Sequence, residues 1–317
     1  MQLSRLELEY FSTPLPGAQR CGAILHLKDS LDRLASGEVS PLPGWSDETL
    51  AAVEEEFYRE YTAIMKTSWD MSTYATSLKN LNLSPSLLFG LESALLSLLD
   101  PLPPCKVQVS ALLMGSYHEI VQQAQARQHE GFTSAKVKIS QLSLSEAYKL
   151  LYQLKDTFRL RVDVNRAWDT TTSLHFFEKF PLDAFDYIEE PFQNPRDLKL
   201  FTHPLAIDES FPKNLSLEDL EKLPTLKALV YKPTLQGGLM QALPLHAWTK
   251  KQGLQFVLSS SFENTLGLTH IAAMAHRLSL TTPIGVGTYA YLSNPLFPLT
   301  ISQGFMEVTQ GRLCPLS

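Results

Sequence analysis

An α/β fold, a TIM-type β/α barrel preceded by a smaller α+β domain, is the fold class that the sequence predicts. Short runs rich in β-branched residues recur about 20 to 30 residues apart, and most gaps between them have helical periodicity. Alternating strands and helices imply parallel pairing, and eight such strands close a β/α barrel. An open doubly wound sheet is the alternative, disfavoured because no Gly-x-Gly-x-x-Gly run follows the first strand. The predicted strands centre near Val107, Val137, Val162, Ile188, Ile207, Val230, Val257 and Val286.

The first hundred residues have a different sequence pattern, which predicts a separate domain. Leu6, Leu8 and Tyr10 alternate with polar residues, and a second apolar run covers residues 23–27, so we expect an antiparallel sheet. Two helices are expected next, one capped by the polar run 46–49 and one over residues 85–99, with a loop at 68–82 between them. A proline-rich hinge at residues 101–104 ends this part.

The predicted division of the chain has three parts. Residues 1–100 form a capping (lid) domain, residues 101–288 form the barrel, and residues 289–317 return to the capping domain. Loops near residues 14–20 and 69–81 are expected to close over the mouth of the barrel.

Composition limits the kinds of partner. Of the 317 residues 44% are hydrophobic, which is ample for buried cores, and the net charge of −6 does not favour binding to nucleic acid. No secretory or membrane-spanning run is recognised, and the three cysteines (Cys21, Cys105 and Cys314) suit neither a disulfide framework nor a zinc site. We expect a cytoplasmic protein that binds a small molecule, without membrane partners, and the sequence leaves its oligomeric state open.

Charged residues end five successive strands, the second to the sixth, inside otherwise apolar runs. The carboxyl ends of the strands form the functional face of a β/α barrel. Because side chains alternate along a strand, Arg161, Asp163 and Asn165 share one face of the third strand. In chain order, the charged residues are Lys136 and Lys138, Asp163, Glu189, Asp208, and Lys232.

Three of these residues, Asp163, Glu189 and Asp208, would bring carboxylates from adjacent strands to one point. Buried carboxylates repel each other unless a cation compensates them. All-oxygen ligands favour Mg²⁺ over zinc, and a single Mg²⁺ keeps coordination positions for a substrate oxygen. The sequence therefore predicts a divalent metal site flanked by lysines.

Each residue has a simpler explanation when taken alone. Asp208 could cap a helix, the Glu189-Glu190-Pro191 turn could be solvated, and lysines on an edge strand could discourage aggregation. The coincidence of five successive strand ends favours the functional interpretation.

The chemistry that suits this set is removal of a proton next to a carboxylate. The resulting enediolate carries negative charge on its oxygens, so a cation must stabilise it. A lysine acts as a base only when its amine is neutral, and burial beside a metal and a second ammonium lowers its pKa.

Longer motifs add a resemblance to a known family. With the strand-end residues, they resemble the enolase superfamily, in particular the muconate lactonizing enzyme-like subgroup with a lysine on each side of the site. Within it the chain is most similar to the o-succinylbenzoate synthases. The motifs are 40–46 (SPLPGWS), 85–90 (PSLLFG), 163–168 (DVNRAW), 232–234 (KPT) and 259–267 (SSSFENTLG).

The resemblance implies a modified, enolase-like barrel, a magnesium ion and a reaction. Asp163, Glu189 and Asp208 would be the Mg²⁺ ligands, and Lys138 the base. The implied reaction is dehydration of 2-succinyl-6-hydroxy-2,4-cyclohexadiene-1-carboxylate to o-succinylbenzoate in menaquinone biosynthesis. Lys138 would remove the proton α to the ring carboxylate and return it to the departing hydroxyl.

Other roles follow from the same resemblance. Lys232 would stabilise the enediolate from the opposite face, and Lys136 would keep Lys138 deprotonated. Two further assignments are that Ser259 and Ser260 meet the succinyl tail, and that Arg161 and Asn165 support the site from behind.

Alternative functions remain open. An N-acylamino acid racemase or a muconate-type cycloisomerase would use the same scaffold, with proton exchange at both Lys138 and Lys232. The last strand, Gly285-Val286-Gly287-Thr288, lacks the acids with which dipeptide epimerases of this subgroup hold an ammonium group. A catalytically inactive scaffold and a Schiff-base aldolase are weaker candidates, because neither requires three carboxylates between two lysines.

Overall fold

A three-stranded antiparallel sheet and three helices form the first part of the computed structural model, which describes residues 1–15, 18–309 and 311. The strands pair in chain order and are β1 (Leu3–Leu15), β2 (Ala18–Asp29) and β3 (Leu34–Val39). The helices are α1 (Leu50–Lys66), α2 (Tyr74–Lys79) and α3 (Pro85–Leu99). The predicted sheet and both long helices are confirmed.

One face of this sheet builds the core of the first part. Leu25, Leu27 and Ala35 are buried and pack in one cluster with Val53 and Phe57 of α1. Each fully buried leucine, valine or phenylalanine side chain contributes roughly 1.5–3 kcal/mol relative to an exposed one. Burial of alternate strand residues therefore orients the sheet on the helices.

The ends of the helices show what local patterns could predict. Helix α1 begins directly after Thr49, the last residue of the predicted cap, whose hydroxyl accepts a hydrogen bond from the Ala52 N–H at 3.2 Å. The prediction of a loop at 68–82 was wrong in part, since α2 lies within these residues. Only Tyr74 and Leu78 of α2 are buried, four residues apart, which is too little periodicity to distinguish a helix from a loop.

The second part of the chain is a curled parallel sheet surrounded by helices. Seven strands pair in chain order: β5 (Ala111–Leu113), β6 (Ser134–Lys138), β7 (Arg159–Asp163), β8 (Tyr187–Glu189), β9 (Leu205–Ile207), β10 (Leu226–Tyr231) and β11 (Gln255–Leu258). The helices are α4 (Tyr117–His129), α5 (Leu144–Leu154), α6 (Thr170–Phe177), α7 (Leu217–Glu221), α8 (Pro233–Gln236), α9 (Leu239–Lys251) and α10 (Thr265–Arg277). A 3-10 turn, Pro195–Leu200, follows β8 in place of an α-helix. The predicted β/α fold class is confirmed.

Two of the eight predicted strands differ from the prediction. The run around Val107 is β4 (Cys105–Gln108), which pairs antiparallel with β13 (Phe305–Val308), itself paired with β12 (Ile301–Ser302). The alternating pattern was right, but it does not reveal which partner a strand will have.

The strand predicted near Val286 forms only isolated parallel bridges, Val109 with Ile284 and Ser259 with Gly285. These bridges join the two edges of the parallel sheet. Glycine weakens a strand and allows close approach of another backbone. A Cβ on Gly287 would lie 2.6 Å from the backbone N of Leu112, so close packing here excludes a side chain.

Two buried glutamates dock the first part onto the barrel helices. Glu38 on β3 accepts hydrogen bonds from the N–H groups of Asn264 and Gly267 at the start of α10, both at 2.8 Å. Glu92 on α3 accepts one from the Met240 N–H at the start of α9, at 2.9 Å. Since helix N-termini carry unpaired N–H groups and partial positive charge, each carboxylate caps a helix of the other part.

Two remaining features concern the chain as a whole. Cys21 and Cys105 are free thiols, whereas Cys314 lies outside the described residues. Across the described parts of the chain, no helix has the length and apolar character needed to cross a membrane.

Candidate active site

Two adjacent rows of side chains cross the barrel strands where the strands end. In the upper row, strand register places Asp163 between Lys138 and Glu189. In the lower row, Arg161 lies between Lys136 and Tyr187 by the same register. Because residues two apart point to the same side of a strand, both rows face the barrel interior.

Asp208 and Lys232 complete the upper row. Glu189 pairs in register with Ala206, and Asp208 follows two residues later, just beyond β9. Lys232 directly follows β10. Strand order therefore places the three carboxylates on adjacent strands, with Lys138 and Lys232 on either side of them.

A cavity of about 240 Å³ opens at this end of the barrel. Its charged lining includes Lys136, Lys138, Lys232 and Glu189. One wall is formed by residues 259–262 with Gly285, Gly287 and Thr288, and from the first part of the chain Leu42 and Trp45 line the opening. A cavity of this size suits a small molecule.

In this structure the positive charges of the lysines compensate the negative charges of the carboxylates. Lys136 Nζ lies 2.9 Å from Asp163 Oδ2 and 2.5 Å from Glu189 Oε1. Lys232 Nζ forms a hydrogen-bonded ion pair with Asp208 Oδ2. Lys138 Nζ is different: it lies 3.8 Å from Asp163 Oδ2 and donates to Asn165 Oδ1 at 3.1 Å.

The environments of the lysines push their pKa values in different directions. Burial lowers the pKa of Lys138, and the ammonium groups of Lys136 and Lys232 lower it further against the attraction of Asp163. Burial also opposes the charge on Lys136, but Asp163 and Glu189 overcome it and hold the pKa of Lys136 well above its ordinary value. Lys138 is thus the lysine that reaches the neutral amine form most readily.

The two glutamates of the turn after β8 have different roles. Glu190 Oε1 accepts the N–H groups of Asp208 and Ser210 at 2.9 Å, and its Oε2 accepts the Ser210 hydroxyl at 2.6 Å. Glu189 faces the cavity, and its Oε2 is buried without a hydrogen-bond partner among the described residues. Glu190 supports the turn, and Glu189 keeps a free oxygen.

The residues present fit a divalent cation. No three His, Cys, Asp or Glu side chains of the described residues are arranged as a formed metal site. Lysine ammoniums lie against the carboxylates. Burial, with repulsion from Asp163 and Asp208, raises the pKa of Glu189 to about 8 despite its contact with Lys136. A buried, unpaired oxygen among three carboxylates is a setting that a hard cation would stabilise.

Arg161 lies in the floor of the cavity. Its Nε donates to Asp186 Oδ2 at 3.1 Å, its Nη1 donates to the Pro283 carbonyl at 2.8 Å, and its guanidinium lies 5.1 Å from the Tyr187 ring centroid. Its Nη2 is buried without a partner in the described part of the chain. Arg161 is therefore anchored by Asp186 and Pro283 and packs against Tyr187 of the lower row.

The serines belong to the wall formed by residues 259–262. Ser259 Oγ donates to the Gly285 carbonyl at 3.3 Å, and Ser260 Oγ lies 2.9 Å from the same carbonyl and 2.7 Å from Thr288 Oγ1. All ten site residues predicted from sequence thus lie in or beside the cavity. Eight of them line it directly, and the other two, Asp163 and Asp208, are buried behind the lysine ammoniums.

Comparison with known proteins gives the family. An enolase C-terminal domain-like family model matches residues 119–314, and a MenC N-terminal domain model matches residues 16–98. The o-succinylbenzoate synthase of Klebsiella pneumoniae (strain 342) is 31% identical over 290 residues, covering 87% of this chain and 85% of the relative. That of Enterobacter sp. (strain 638) is 32% identical over 289 residues, covering 87% and 85%.

The chain belongs to the o-succinylbenzoate synthase family of the enolase superfamily. The resemblance and the assignment as an enzyme of this lyase type, both predicted from sequence, are thereby confirmed.

Solved structures of the superfamily share the fold. A substrate-liganded L-Ala-D/L-Glu epimerase from Bacillus subtilis superimposes with a TM-score of 0.84 at 18% identity, covering 97% of this chain and 96% of the other. A dipeptide epimerase from Methylococcus capsulatus complexed with Mg ion gives 0.82 at 19% identity, covering 98% and 97%. At these identities the likeness concerns the fold alone.

Sequence reasoning missed some residues of this synthase-family site. Trp45 and Leu42 line the opening, although the expected lid loops were 14–20 and 69–81. Trp69 is fully buried in the first core, and residues 16 and 17 of the other expected loop lie outside the described residues. The signal for Trp45 was present in the quoted motif SPLPGWS, in which Trp45 is the only aromatic residue.

Proposed function

We propose that this chain dehydrates 2-succinyl-6-hydroxy-2,4-cyclohexadiene-1-carboxylate to o-succinylbenzoate, a step of menaquinone biosynthesis. The observation that carries the proposal is the placement of Lys138 and Lys232 at the ends of β6 and β10, with three carboxylate-bearing strands between them. The family relationship supports the same reaction, since the relatives are named for its product.

Lys138 is the proposed base. Its ammonium has the weakest carboxylate contact of the three lysines, 3.8 Å to Asp163, and Asn165 orients it at 3.1 Å. The neutral amine takes the proton α to the ring carboxylate, so the C–H bond breaks and its electron pair moves towards the carboxylate oxygens as an enediolate, to return to the ring when the hydroxyl leaves. The same ammonium then gives this proton to the departing hydroxyl, the C–O bond breaks, and water leaves from an aromatic product.

Lys232 is the proposed electrostatic partner on the opposite side. Its ion pair with Asp208 keeps it charged, so it stabilises negative charge that develops on the substrate without giving up a proton. Lys136, paired with Asp163 and Glu189, adds positive charge beside Lys138 and would contact the substrate carboxylate.

Asp163, Glu189 and Asp208 are the proposed holders of Mg²⁺. When bound, the ion supplies a second positive charge for the substrate carboxylate and lowers the cost of the enediolate. The ammonium of Lys136 in this structure shows that a positive charge is already accommodated against two of these carboxylates.

Binding of the substrate is assigned to the remaining predicted residues. Ser259 and Ser260 present hydroxyls on one wall of the cavity and would meet the succinyl tail. Arg161 and Asn165 would support the reacting groups from behind. Arg161 does so from the floor of the cavity, and Asn165 through its hydrogen bond with Lys138. In this proposal residues 1–100 cap the site, residues 101–288 carry it, and residues 289–317 return to the cap; residues 310 and 312–317 lie outside the described residues.

A second candidate, an N-acylamino acid racemase, is favoured by the same pair of opposed lysines. It requires a base on both faces, whereas the Asp208 contact makes Lys232 a poor second base. The test is absorbance-monitored conversion of the cyclohexadiene substrate with Mg²⁺ and after EDTA, followed by N-succinylamino acids. Metal-dependent turnover supports the proposal; none from a folded, Mg²⁺-loaded protein contradicts it and leaves the racemase to be examined.

A further inference from the structure

A tight turn over residues 42–47 brings Trp45 from the first part of the chain to the mouth of the cavity. The Leu42 N–H donates to Ser46 Oγ at 2.8 Å, and the Leu42 carbonyl accepts the Trp45 N–H at 3.0 Å. Gly44 has φ +82°, a left-handed conformation that glycine adopts without strain. These bonds close the turn on itself, but they do not fix it to the barrel.

Trp45 stands at the point where the turn meets the catalytic residues. Its side chain lines the cavity, and Lys232 Nζ lies 5.5 Å from the ring centroid, within cation–π range. The residue is 43% exposed, which leaves a large aromatic surface uncovered beside the cavity. Burying this surface against a ring-containing ligand would be favourable.

One lysine of the barrel bonds directly to this turn. Lys213 Nζ lies 2.8 Å from Asp47 Oδ1 and donates to the Trp45 carbonyl at 3.3 Å. Lys213 follows Asp208 in the loop between β9 and α7, so it is anchored to the strand that carries a proposed metal ligand. The contact therefore joins the turn to the barrel on the same side as Lys232.

We propose that Lys213 is a positioning residue that holds the turn, and through it Trp45, against Lys232 and over the bound substrate. The inference rests on the proposed function for the identity of the substrate. Lys213 itself touches neither the cavity nor the reacting groups, so it acts on binding more than on the chemical step. Exposed ion pairs have small effects, so removal of the lysine charge should raise KM about threefold with kcat unchanged.

The experiment compares Lys213→Met with Lys222→Met. Lys222 is a matched control, since its Nζ lies 2.7 Å from Glu218 in an equally exposed ion pair away from the turn. Activity is measured at low salt and in 1 M NaCl, where the Debye length of about 3 Å screens the pair. Lys213→Met should differ from the control at low salt, and the difference should shrink at high salt.

Acrylamide quenching of tryptophan fluorescence gives a readout that does not depend on turnover. Lys213→Met should increase quenching, and the increase should vanish when it is combined with Trp45→Phe, which assigns it to Trp45 among the four tryptophans. The exchanged pair Lys213→Glu with Asp47→Lys should recover much of the wild-type quenching and KM, whereas Lys213→Glu alone should be the worst variant.

Equal KM and equal quenching for Lys213→Met, Lys222→Met and the wild type would overturn the inference. Failure of the proposed function is recognised separately, since the wild type would then show no turnover. In that case the quenching comparison still decides whether Lys213 positions Trp45.

Discussion

The Glu38 carboxylate bonds to the Gly267 N–H at 2.8 Å, which ties the sheet of the first part to the first turn of a barrel helix. Its other oxygen accepts the Asn264 N–H and the Ser40 hydroxyl, each at 2.8 Å. With Glu92 at the start of α9, this contact docks the first part onto the barrel helices.

Glu38→Ala should destabilise the protein by at least about 2 kcal/mol, because it leaves three donors without an acceptor in a buried site. Urea unfolding would measure the loss, with Glu55→Ala, on the exposed face of α1, as the control. Equal unfolding free energies for the two variants would show that the contact does not hold the parts together.

Stability should depend on pH through His270. Its Nε2 lies 2.8 Å from the Ser36 carbonyl, and burial lowers its pKa from 6.5 to about 4. The folded state thus keeps a neutral imidazole while the unfolded chain binds a proton below pH 6.5. Stability is therefore lost as the pH falls from about 6.5 towards about 4, by on the order of 3 kcal/mol.

His270→Gln keeps a donor for Ser36 but cannot titrate, so the slope of unfolding free energy between pH 6.5 and 4 should become shallower by about one proton. Replacement of the exposed His129 should leave the slope unchanged. A His270→Gln slope equal to that of the wild type would assign the acid loss to other groups.

The positions of the strand-end residues could be predicted well from the sequence, whereas the contacts between distant segments could not. Alternation along strands and the rule that parallel strands end on one face were sufficient to place Lys138, Asp163 and Glu189 in one row. The contact of Lys213 with Asp47 joins residues far apart in the chain, and no local pattern encodes it. The same limit explains β4, whose pattern was visible but whose partner β13 was not.

Removal of the Lys138 amine should abolish turnover and leave the fold intact. Lys138→Ala should lower kcat about a thousandfold, within the range of general acid–base catalysis, with an unchanged melting temperature. Lys149→Ala, on the exposed side of α5, is the control. Turnover retained in Lys138→Ala would remove this lysine from the mechanism.

Metal removal should reveal the role of the three carboxylates. EDTA is expected to stop turnover and Mg²⁺ to restore it, since the ion compensates buried negative charge. Asp208→Asn should weaken Mg²⁺ binding measured by calorimetry, whereas Asp197→Asn, in the 3-10 turn after β8, should not. EDTA-insensitive turnover by a metal-free sample would contradict the assignment.

Lys232→Ala separates the two candidate functions. If Lys232 only stabilises charge, the variant should dehydrate the cyclohexadiene substrate about a hundredfold more slowly, and Lys138 should still exchange the α-proton of one N-succinylamino acid enantiomer with D₂O. If Lys232 is also a base, the wild type should racemise such substrates and the variant should lose that activity entirely. Proton NMR in D₂O measures exchange and racemisation together. Unchanged dehydration in Lys232→Ala would contradict the charge-stabilising role, because the ammonium opposite Lys138 would then contribute nothing to that reaction.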